Sequence, residues 1–509
     1  MINFRVNCNL MLVFQGWEKF LSDEPTEFHN LPVSWEVSPG PPSWLRGSYI
    51  KNGPSQKQFG TEERWYSQYM DSWGKLHKLT FSESGDLLYS GRMIETNNYK
   101  KCDEAQRLVP TITIAGVKPN DWSLTEMMAG FINNYDNTNV LLWRLGPEDP
   151  NNATYIATTD FPLVHMINPD TLAVTGQNKP PISKGYSLQT ASHWTREIGS
   201  DNSINYHLMM NPLNPLRPDF VLYRYGNSMD DMKEIGRFGI KHINYNHMIS
   251  NTPNYAVIVI YPVIMNYGTI LQHDMHPIET LERLDEPTKI YLMNLHDGSV
   301  LDGFETEEES MVFATHHMNA WEEGDEVIFD LATNPWDAMK TYMDIELMIN
   351  HNETDSQEAS QVMKRVRLNK VTREVVVEDW PNQGNIPMMN TMDFPAINMN
   401  YKGYKNRYAY GWVGVDYWRM TLVKKDLEKP AECRTWSEPN HYPGELQFVP
   451  NPEGEQEDDG ILMTVVFDGV REQSYVLLLD GRTFTELNRA YLPYIIPFSF
   501  HGNWFPELH

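Results

Sequence analysis

The stretch ATHHMNAWEEGDEVIFD, residues Ala314–Asp330, gives the clearest local indication of the fold. Its alternating end, Val327–Phe329, predicts a buried strand, and the polar residues around Gly324 predict the turn before it. His316 and His317 lie beside this turn, where a ring can point into a central cavity. Because neighbouring side chains of a strand face opposite ways, only one of the two can do so. They are either ordinary polar residues at a sheet rim or part of a metal site with partners elsewhere.

A turn pattern recurs through nearly the whole chain: an apolar run, a short Asp/Gly/Asn turn and a second alternating run. Each copy is typical of a β-hairpin, and long helical patterns are scarce. Many short hairpin-linked strands favour radial repetition, a β-propeller, because a sandwich of this size would need separate domains and no stretch has the composition of a linker. Examples are FSESGDLLYSGR, MINPDTLAVTG, YLMNLHDGSVLDG, RLNKVTREVVVED and YVLLLDGRTFTELNRAYL, which begin at Phe81, Met166, Tyr291, Arg367 and Tyr475.

We predict one all-β propeller domain over residues 41–509, with residues 1–40 as an N-terminal extension that packs on it. Helical and loop insertions are expected to cap one face. Residues 123–132 begin with a capping box and have the periodicity of an amphipathic helix. Residues 335–349, which start with proline, are predicted to form a second helix.

Composition narrows the possible functions. The 509 residues carry a formal charge of −27, which argues against a nucleic-acid partner because a phosphate-binding face needs a basic excess. The 3 cysteines are far apart, so neither a disulfide framework nor a cysteine-based zinc site is expected. Leu10–Phe14 is too short for a signal peptide, and no run has the length of a membrane-spanning helix. We therefore expect a cytoplasmic protein.

Four positions among the 16 histidines lie beside both a strand-like run and a turn. No local His-x-x-x-His motif is present, and the wide separation of the four excludes a zinc finger. A propeller requires such wide spacing, because each ligand then comes from a different blade. His273 and His276 form a local competitor, but their polar, proline-flanked segment indicates an exposed loop. The four candidates are His193, His247, one of the pair His316/His317, and His501.

These stretches resemble the carotenoid cleavage oxygenase family, especially its animal branch of carotene-cleaving enzymes and the visual-cycle retinoid isomerase. The resemblance extends from about Trp44 to the C-terminus, and its pieces follow one another in order. They are RGSYIKNGP (Arg46–Pro54), DSWGKLHKLTF (Asp71–Phe81), INPDTL (Ile167–Leu172), His-x4-Thr-Pro-Asn-Tyr at His247, His-x-x-Asn-Ala-Trp-Glu at His316, DFPAIN (Asp393–Asn398), EPNHYPGELQFVPNP (Glu438–Pro452), EDDG (Glu457–Gly460) and IPFSFHG (Ile496–Gly502).

The resemblance implies a seven-bladed propeller, and its asparagine spacing selects His316 over His317. It further implies that His193, His247, His316 and His501 hold Fe(II), with O₂ as co-substrate. Four neutral imidazoles suit ferrous iron, which accepts nitrogen ligands and leaves open positions in six-coordinate geometry. Zinc held by four histidines would be closed and inert.

The family also places carboxylates behind the histidines, where each fixes the tautomer and angle of a ring. By resemblance these partners are Asp160, Asp393 and Glu445. Two are aspartate where the family usually has glutamate. The shorter side chain is expected to require a backbone shift or a bridging water.

The function implied is cleavage of a conjugated C=C bond in a carotenoid or apocarotenoid to two carbonyl products. The alternatives are a retinoid ester isomerohydrolase and a non-catalytic carotenoid- or lipid-binding propeller. Because such substrates reside in membranes, peripheral contact through a shallow interfacial helix is expected. Its candidate side chains are Leu124, Met127, Met128 and Phe131.

Overall fold

Antiparallel pairing of chain neighbours organises the computed structural model of this protein. The structure describes residues 15–509 except 39, 121, 124, 127–128, 131–134, 180–185, 212–216, 267, 270–275, 342, 351–360, 381–389 and 415–419. Within these ranges the strands form seven sheets of four or five strands each, together with two two-stranded ribbons. The prediction of a seven-bladed β-propeller is confirmed.

The blades are numbered here in chain order. Blade 1 contains Phe28–Val33, Gly47–Gln56, Trp73–Phe81, Leu87–Met93 and His501–Phe505; blade 2 contains Leu141–Leu145, Thr154–Thr158, Val164–Ile167 and Val174–Asn178; blade 3 contains Ser187–Thr190, Thr195–Arg196, Ser203–Met209, Asp219–Tyr225 and Met232–Gly239; blade 4 contains Ser250–Asn251, Tyr255–Ile260, Lys289–Asn294 and Val300–Glu305.

The remaining blades follow the same order. Blade 5 contains Ala314–Glu323, Glu326–Thr333, Val362–Asn369 and Val375–Asp379; blade 6 contains Asp393–Ala396, Tyr408–Gly414, Met420–Asp426 and Arg434–Trp436; blade 7 contains His441–Pro443, Gln447–Pro450, Gly460–Asp468, Gln473–Asp480 and Glu486–Tyr491. The ribbons pair Trp65–Tyr66 with Val117–Lys118 and Val263–Met265 with Leu281–Arg283.

The described helices are short and lie outside the blades. They are the α-helices Trp17–Phe20, Asn97–Ala105, Ala338–Thr341 and Ile345–Asn350, and the 3-10 helices Tyr69–Asp71, Pro277–Thr280, Met399–Tyr401 and Pro430–Glu432. None of the helices in the described ranges has the length and apolar character needed to cross a membrane.

The core lies between adjacent blades. In blade 5 the strand Glu326–Thr333 buries side chains on both faces, as expected where a sheet is packed between two others. Val327 and Phe329 pack with residues of blade 4 such as Val257 and Leu292. The sheets therefore bury apolar side chains around the whole ring.

Blade 1 closes the ring, because it combines strands from both ends of the described chain. His501–Phe505 pairs with Gly47–Gln56 in a register that sets His501 opposite Asn52. Phe505 packs against the Tyr155 ring of blade 2 with centroids 5.5 Å apart. The most C-terminal strand is thus bonded to one blade and packed on the next.

The N-terminal residues pack on the blades. Trp17 and Phe20 bury their rings against Tyr442 and Phe467 of blade 7. Phe28–Val33 pairs with Leu87–Met93 and is the outermost strand of blade 1. The division of the chain at residue 40 stays a prediction.

The insertion at residues 335–349 differs from the single helix predicted for it. The helix breaks after Thr341 and resumes at Ile345. The cause is tertiary pairing, because the Tyr69 N–H donates to the Met343 carbonyl at 2.7 Å and the Ile345 N–H to the Ser67 carbonyl at 3.0 Å. These bonds to the segment between the ribbon strand Trp65–Tyr66 and blade 1 replace one helical turn.

The predicted capping box at the other insertion is present. The Ser123 N–H donates to Glu126 Oε2 at 2.9 Å, and the Glu126 N–H to Ser123 Oγ at 3.3 Å. The proposed membrane-contact side chains lie outside the described residues; they are Leu124, Met127, Met128 and Phe131.

The closure of blade 1 yields a prediction about stability. Replacing buried Phe505 with alanine should lower the free energy of unfolding by about 3–5 kcal/mol, the cost of removing a packed aromatic ring. The measurement is the urea midpoint followed by circular dichroism. His509→Ala, at an exposed position of the same segment, is the control and should change little. Equal urea midpoints for Phe505→Ala and the unmodified protein would contradict the proposed contribution of the closing strand to stability.

Candidate metal centre

Four imidazoles from distant parts of the chain converge where the blades meet. Each offers one ring nitrogen, and these nitrogens all lie within 4.8 Å of one another. The Nε2 atoms of His193 and His501 are 3.1 Å apart. The structure thus brings together the predicted set, His193, His247, His316 and His501.

Each histidine lies on or next to an edge strand of its blade. His193 follows the first strand of blade 3 and forms a parallel bridge with Met248, which places it beside His247. His316 lies in the first strand of blade 5, and His501 begins the closing strand of blade 1. Histidines from or next to four blades therefore face one centre.

The choice within the histidine pair is resolved by the strand itself. His317 points away, with its ring nitrogens 2.9 Å from Ser250 Oγ and 3.2 Å from Tyr261 Oη. Register shifts occur on both sides of the pair, and such bulges re-aim side chains at functional sites. His316 is the residue whose ring joins the cluster, as the resemblance implied.

Three carboxylates lie behind the histidines. The Nδ1–H of His247 donates to Asp160 at 2.9 Å, that of His316 to Asp393 at 2.5 Å, and that of His501 to Glu445 at 2.9 Å. Since a protonated Nδ1 leaves the lone pair on Nε2, these contacts direct an unprotonated nitrogen toward the centre.

The two aspartates reach their histidines directly, so the bridging water expected from the sequence is not required. Asp160 is drawn close to blade 3, because its carboxylate accepts the Ser192 N–H at 3.0 Å and its carbonyl the Thr190 N–H at 3.0 Å. Beside Asp393, Phe394 has φ +47°, a backbone conformation that is unusual for a residue other than glycine.

Burial favours the neutral form of two of the four imidazoles. Burial lowers the pKa of His193 and of His501 well below 6.5, and neighbouring histidines lower both further. Burial also raises the pKa of Glu445 to about 7, although the charge of Lys51 opposes this. Neutral imidazoles are the form that binds transition metals.

The donor set fits a metal ion. His316 Nε2 is buried and has no hydrogen-bond partner, while its Nδ1 is engaged by Asp393. A buried acceptor left in this state costs about 1–3 kcal/mol, which a cation would recover. Nitrogen donors of this kind suit iron, copper, nickel and zinc. The residues that could hold the ion are the four clustered histidines.

A largely apolar cavity of about 410 Å³ reaches this cluster, and His247, His316 and His501 form part of its wall. This volume falls in the range of small-molecule sites. Many aromatic and methionine side chains line the wall; they include Trp17, Met70, Tyr135, Phe161, Met339, Met343, Phe394, Trp412, Met420 and Phe498.

The sequence alone did not identify these wall residues. They come from the N-terminal helix, the insertion at residues 335–349 and several blades, so no local pattern connects them. Of the competing histidine pair, His276 precedes the 3-10 helix Pro277–Thr280 and is not in the cluster, while His273 lies outside the described residues.

Comparison with known proteins gives a consistent result. Residues 25–506 match the family described as retinal pigment epithelial membrane protein. The chain is 23% identical to β,β-carotene 15,15′-dioxygenase of Gallus gallus, with 94% of this chain and 97% of that protein covered. It is 26% identical to the carotenoid isomerooxygenase of Galleria mellonella, with 96% of each covered.

Solved structures show the same fold. A variant of Synechocystis apocarotenoid oxygenase superposes with a TM-score of 0.79 at 19% identity, covering 96% of this chain and 98% of that one. A cobalt-substituted form gives a TM-score of 0.78 at 18% identity, with the same coverage.

The adjacent histidines allow a matched test of the metal centre. His316→Gln should remove a ligand, whereas His317→Gln changes a buried neighbour that points away. Since loss of an orienting partner alone costs about 10–100-fold in metal affinity, loss of a ligand should cost at least as much. Metal content per chain, measured by plasma mass spectrometry, should collapse only in His316→Gln. Equal content in both variants would contradict this assignment.

Proposed function

The chain belongs to the retinal pigment epithelial membrane protein family, that of the carotenoid oxygenases, and we propose that it is a non-haem Fe(II) dioxygenase. In this proposal it cleaves a conjugated C=C bond of a carotenoid or apocarotenoid, and each carbon of that bond receives one oxygen atom of O₂ as a carbonyl. The observation that carries the proposal is the cluster of four imidazoles beside a largely apolar cavity. The names of its relatives agree with this reaction.

His193, His247, His316 and His501 would hold the iron, and Asp160, Asp393 and Glu445 would orient three of these rings. Ferrous iron held by neutral ligands alone would keep its positive charge and supply open positions for the activation of O₂. The carboxylates accept protons from Nδ1 without occupying the centre. They therefore fix ring angles while leaving the metal's reactive positions free.

The chain's own contribution is to bind the polyene and keep water away from it. Phe394 lies with its ring centroid 5.2 Å from those of both His316 and His501, which places an aromatic face next to the cluster. Buried methionines and aromatics of the cavity wall can follow an irregular apolar chain. The shape of such a wall would position the reacting C=C bond near the histidine cluster.

Delivery of the substrate favours contact with a membrane. At about 0.8 kcal/mol per buried carbon group, moving about twenty such groups through water would cost about 16 kcal/mol. Leu347 both lines the cavity and is 48% exposed, so an apolar side chain stands at the rim. We propose a cytoplasmic protein that docks weakly on membranes.

Turnover tests the reaction directly. Iron-loaded protein incubated with a carotenoid panel should consume one O₂ per substrate and release two carbonyl fragments identifiable by mass spectrometry. His316→Gln should lose this activity, and His317→Gln should retain it. Release of a cis-retinol from a retinyl ester without O₂ uptake would instead establish the isomerohydrolase, and polyene binding without any product would establish a binding protein.

Membrane docking has a separate test. Changing Met127, Met128 and Phe131 to serine should reduce co-sedimentation with phosphatidylcholine liposomes severalfold, because apolar area available for insertion is removed. Circular dichroism should show an unchanged fold. Unaltered co-sedimentation would exclude this patch as the contact surface.

A further inference from the structure

A buried carboxylate outside the histidine cluster connects segments of the cavity wall. Asp71 ends the 3-10 helix Tyr69–Asp71 and is 2% exposed. It accepts the Ile114 N–H through Oδ1 at 2.7 Å and the Ala115 N–H through Oδ2 at 2.9 Å. Two consecutive backbone amides of one loop therefore engage both oxygens, just before the ribbon strand Val117–Lys118.

The residues beside these hydrogen bonds line the cavity. Met70, which precedes Asp71 in the chain, and Ile114 both form part of the wall. The Ile114 carbonyl in turn accepts the Ile278 N–H at 3.1 Å, and Ile278 is a further wall residue. A line of hydrogen bonds thus runs from Asp71 through Ile114 to Ile278 and fixes three wall segments relative to one another.

The 3-10 helix is also anchored to the chain segment that leads into the histidine cluster. Tyr69 Oη donates to the Phe498 carbonyl at 2.8 Å. The Tyr69 ring meets the ring of Phe500 edge-on with centroids 6.2 Å apart, and Phe500 directly precedes His501. Because Phe498 and Phe500 themselves line the cavity, the helix that carries Asp71 joins the loop at Ile114 to the part of the wall next to His501.

The two hydrogen bonds to the loop require a carboxylate. An asparagine offers one acceptor oxygen, and its amide group would set N–H against the second backbone N–H. An apolar side chain would leave both backbone donors buried without a partner. Burial raises the pKa of Asp71 to about 7, and the backbone N–H donors oppose this rise. The acidic side chain is therefore matched to the loop, and its replacement should release Ile114 from its place.

We propose that Asp71 is a positioning residue for the polyene. Its two hydrogen bonds hold Met70 and Ile114 at fixed places in the cavity wall, and the shape of this wall sets which double bond lies beside the histidine cluster. Asp71 is not among the described residues that line the cavity, so it acts through its neighbours. This deepens the proposed function, on which it rests for the identity of the ligand.

Asp71→Asn tests this role with β-apo-8′-carotenal, an apocarotenoid aldehyde, as the probe. Iron-loaded variant should bind it about tenfold more weakly under anaerobic conditions, the effect of losing one hydrogen bond to a charged group, as measured by tryptophan fluorescence quenching. In air, KM should rise by a similar factor while kcat and metal content stay close to those of the unmodified protein. Mass spectrometry should show cleavage spread over neighbouring double bonds.

Asp136→Asn is the matched control. Asp136 is also buried, with 5% exposed, and its carboxylate accepts the Asn98 N–H and the Thr96 hydroxyl, both at 3.0 Å. Neither Asp136 nor these two partners belongs to the described residues of the cavity wall. A general loss of stability would appear in both variants, whereas weaker binding and mixed products should appear only in Asp71→Asn.

The remaining outcomes separate this inference from the function it deepens. Unchanged binding and an unchanged product in Asp71→Asn, or equal losses in both variants, would overturn the positioning role and leave the oxygenase reaction standing. If circular dichroism showed that Asp71→Asn alone fails to fold, the role would also be overturned, because the carboxylate would then serve the fold as a whole. Weaker binding only in Asp71→Asn, in a protein that yields no product in air, would support the positioning role and overturn the reaction.

Discussion

The pairing of His501–Phe505 with Gly47–Gln56 is the interaction on which the remainder of the structure depends. It closes the ring of blades, and the same strand carries one of the four clustered imidazoles. Further hydrogen bonds fix the position of this strand. The Phe498 N–H donates to the Phe20 carbonyl, and the Gly502 N–H donates to the Glu445 carboxylate. Ring closure and the geometry of the centre are therefore set by one ladder of backbone hydrogen bonds.

The histidine cluster is largely buried, and hydrogen bonds to carboxylates hold three of its rings in place. Desolvation favours the neutral form of His193 and His501, and the carboxylates behind three of the histidines determine which ring nitrogen faces the centre. The cavity that reaches this centre is largely apolar.

The sequence predicted what depends on short-range pattern. Hairpin turns indicated the blades, and strand alternation indicated that His316 and His317 face opposite ways. The number of blades and the choice of His316 came from family resemblance, since nothing near His193 or His247 reveals that they meet. The break after Thr341 and the cavity wall were beyond prediction, because hydrogen bonds and contacts from sequence-distant segments create them.

The position of His501 has a consequence for how the protein is made. Blades 2 to 7 can leave the ribosome and fold while blade 1 is still open, but the fourth imidazole emerges only with the strand that seals the ring. In the proposed function, a complete metal centre with all four histidines would therefore form only once synthesis reaches that strand.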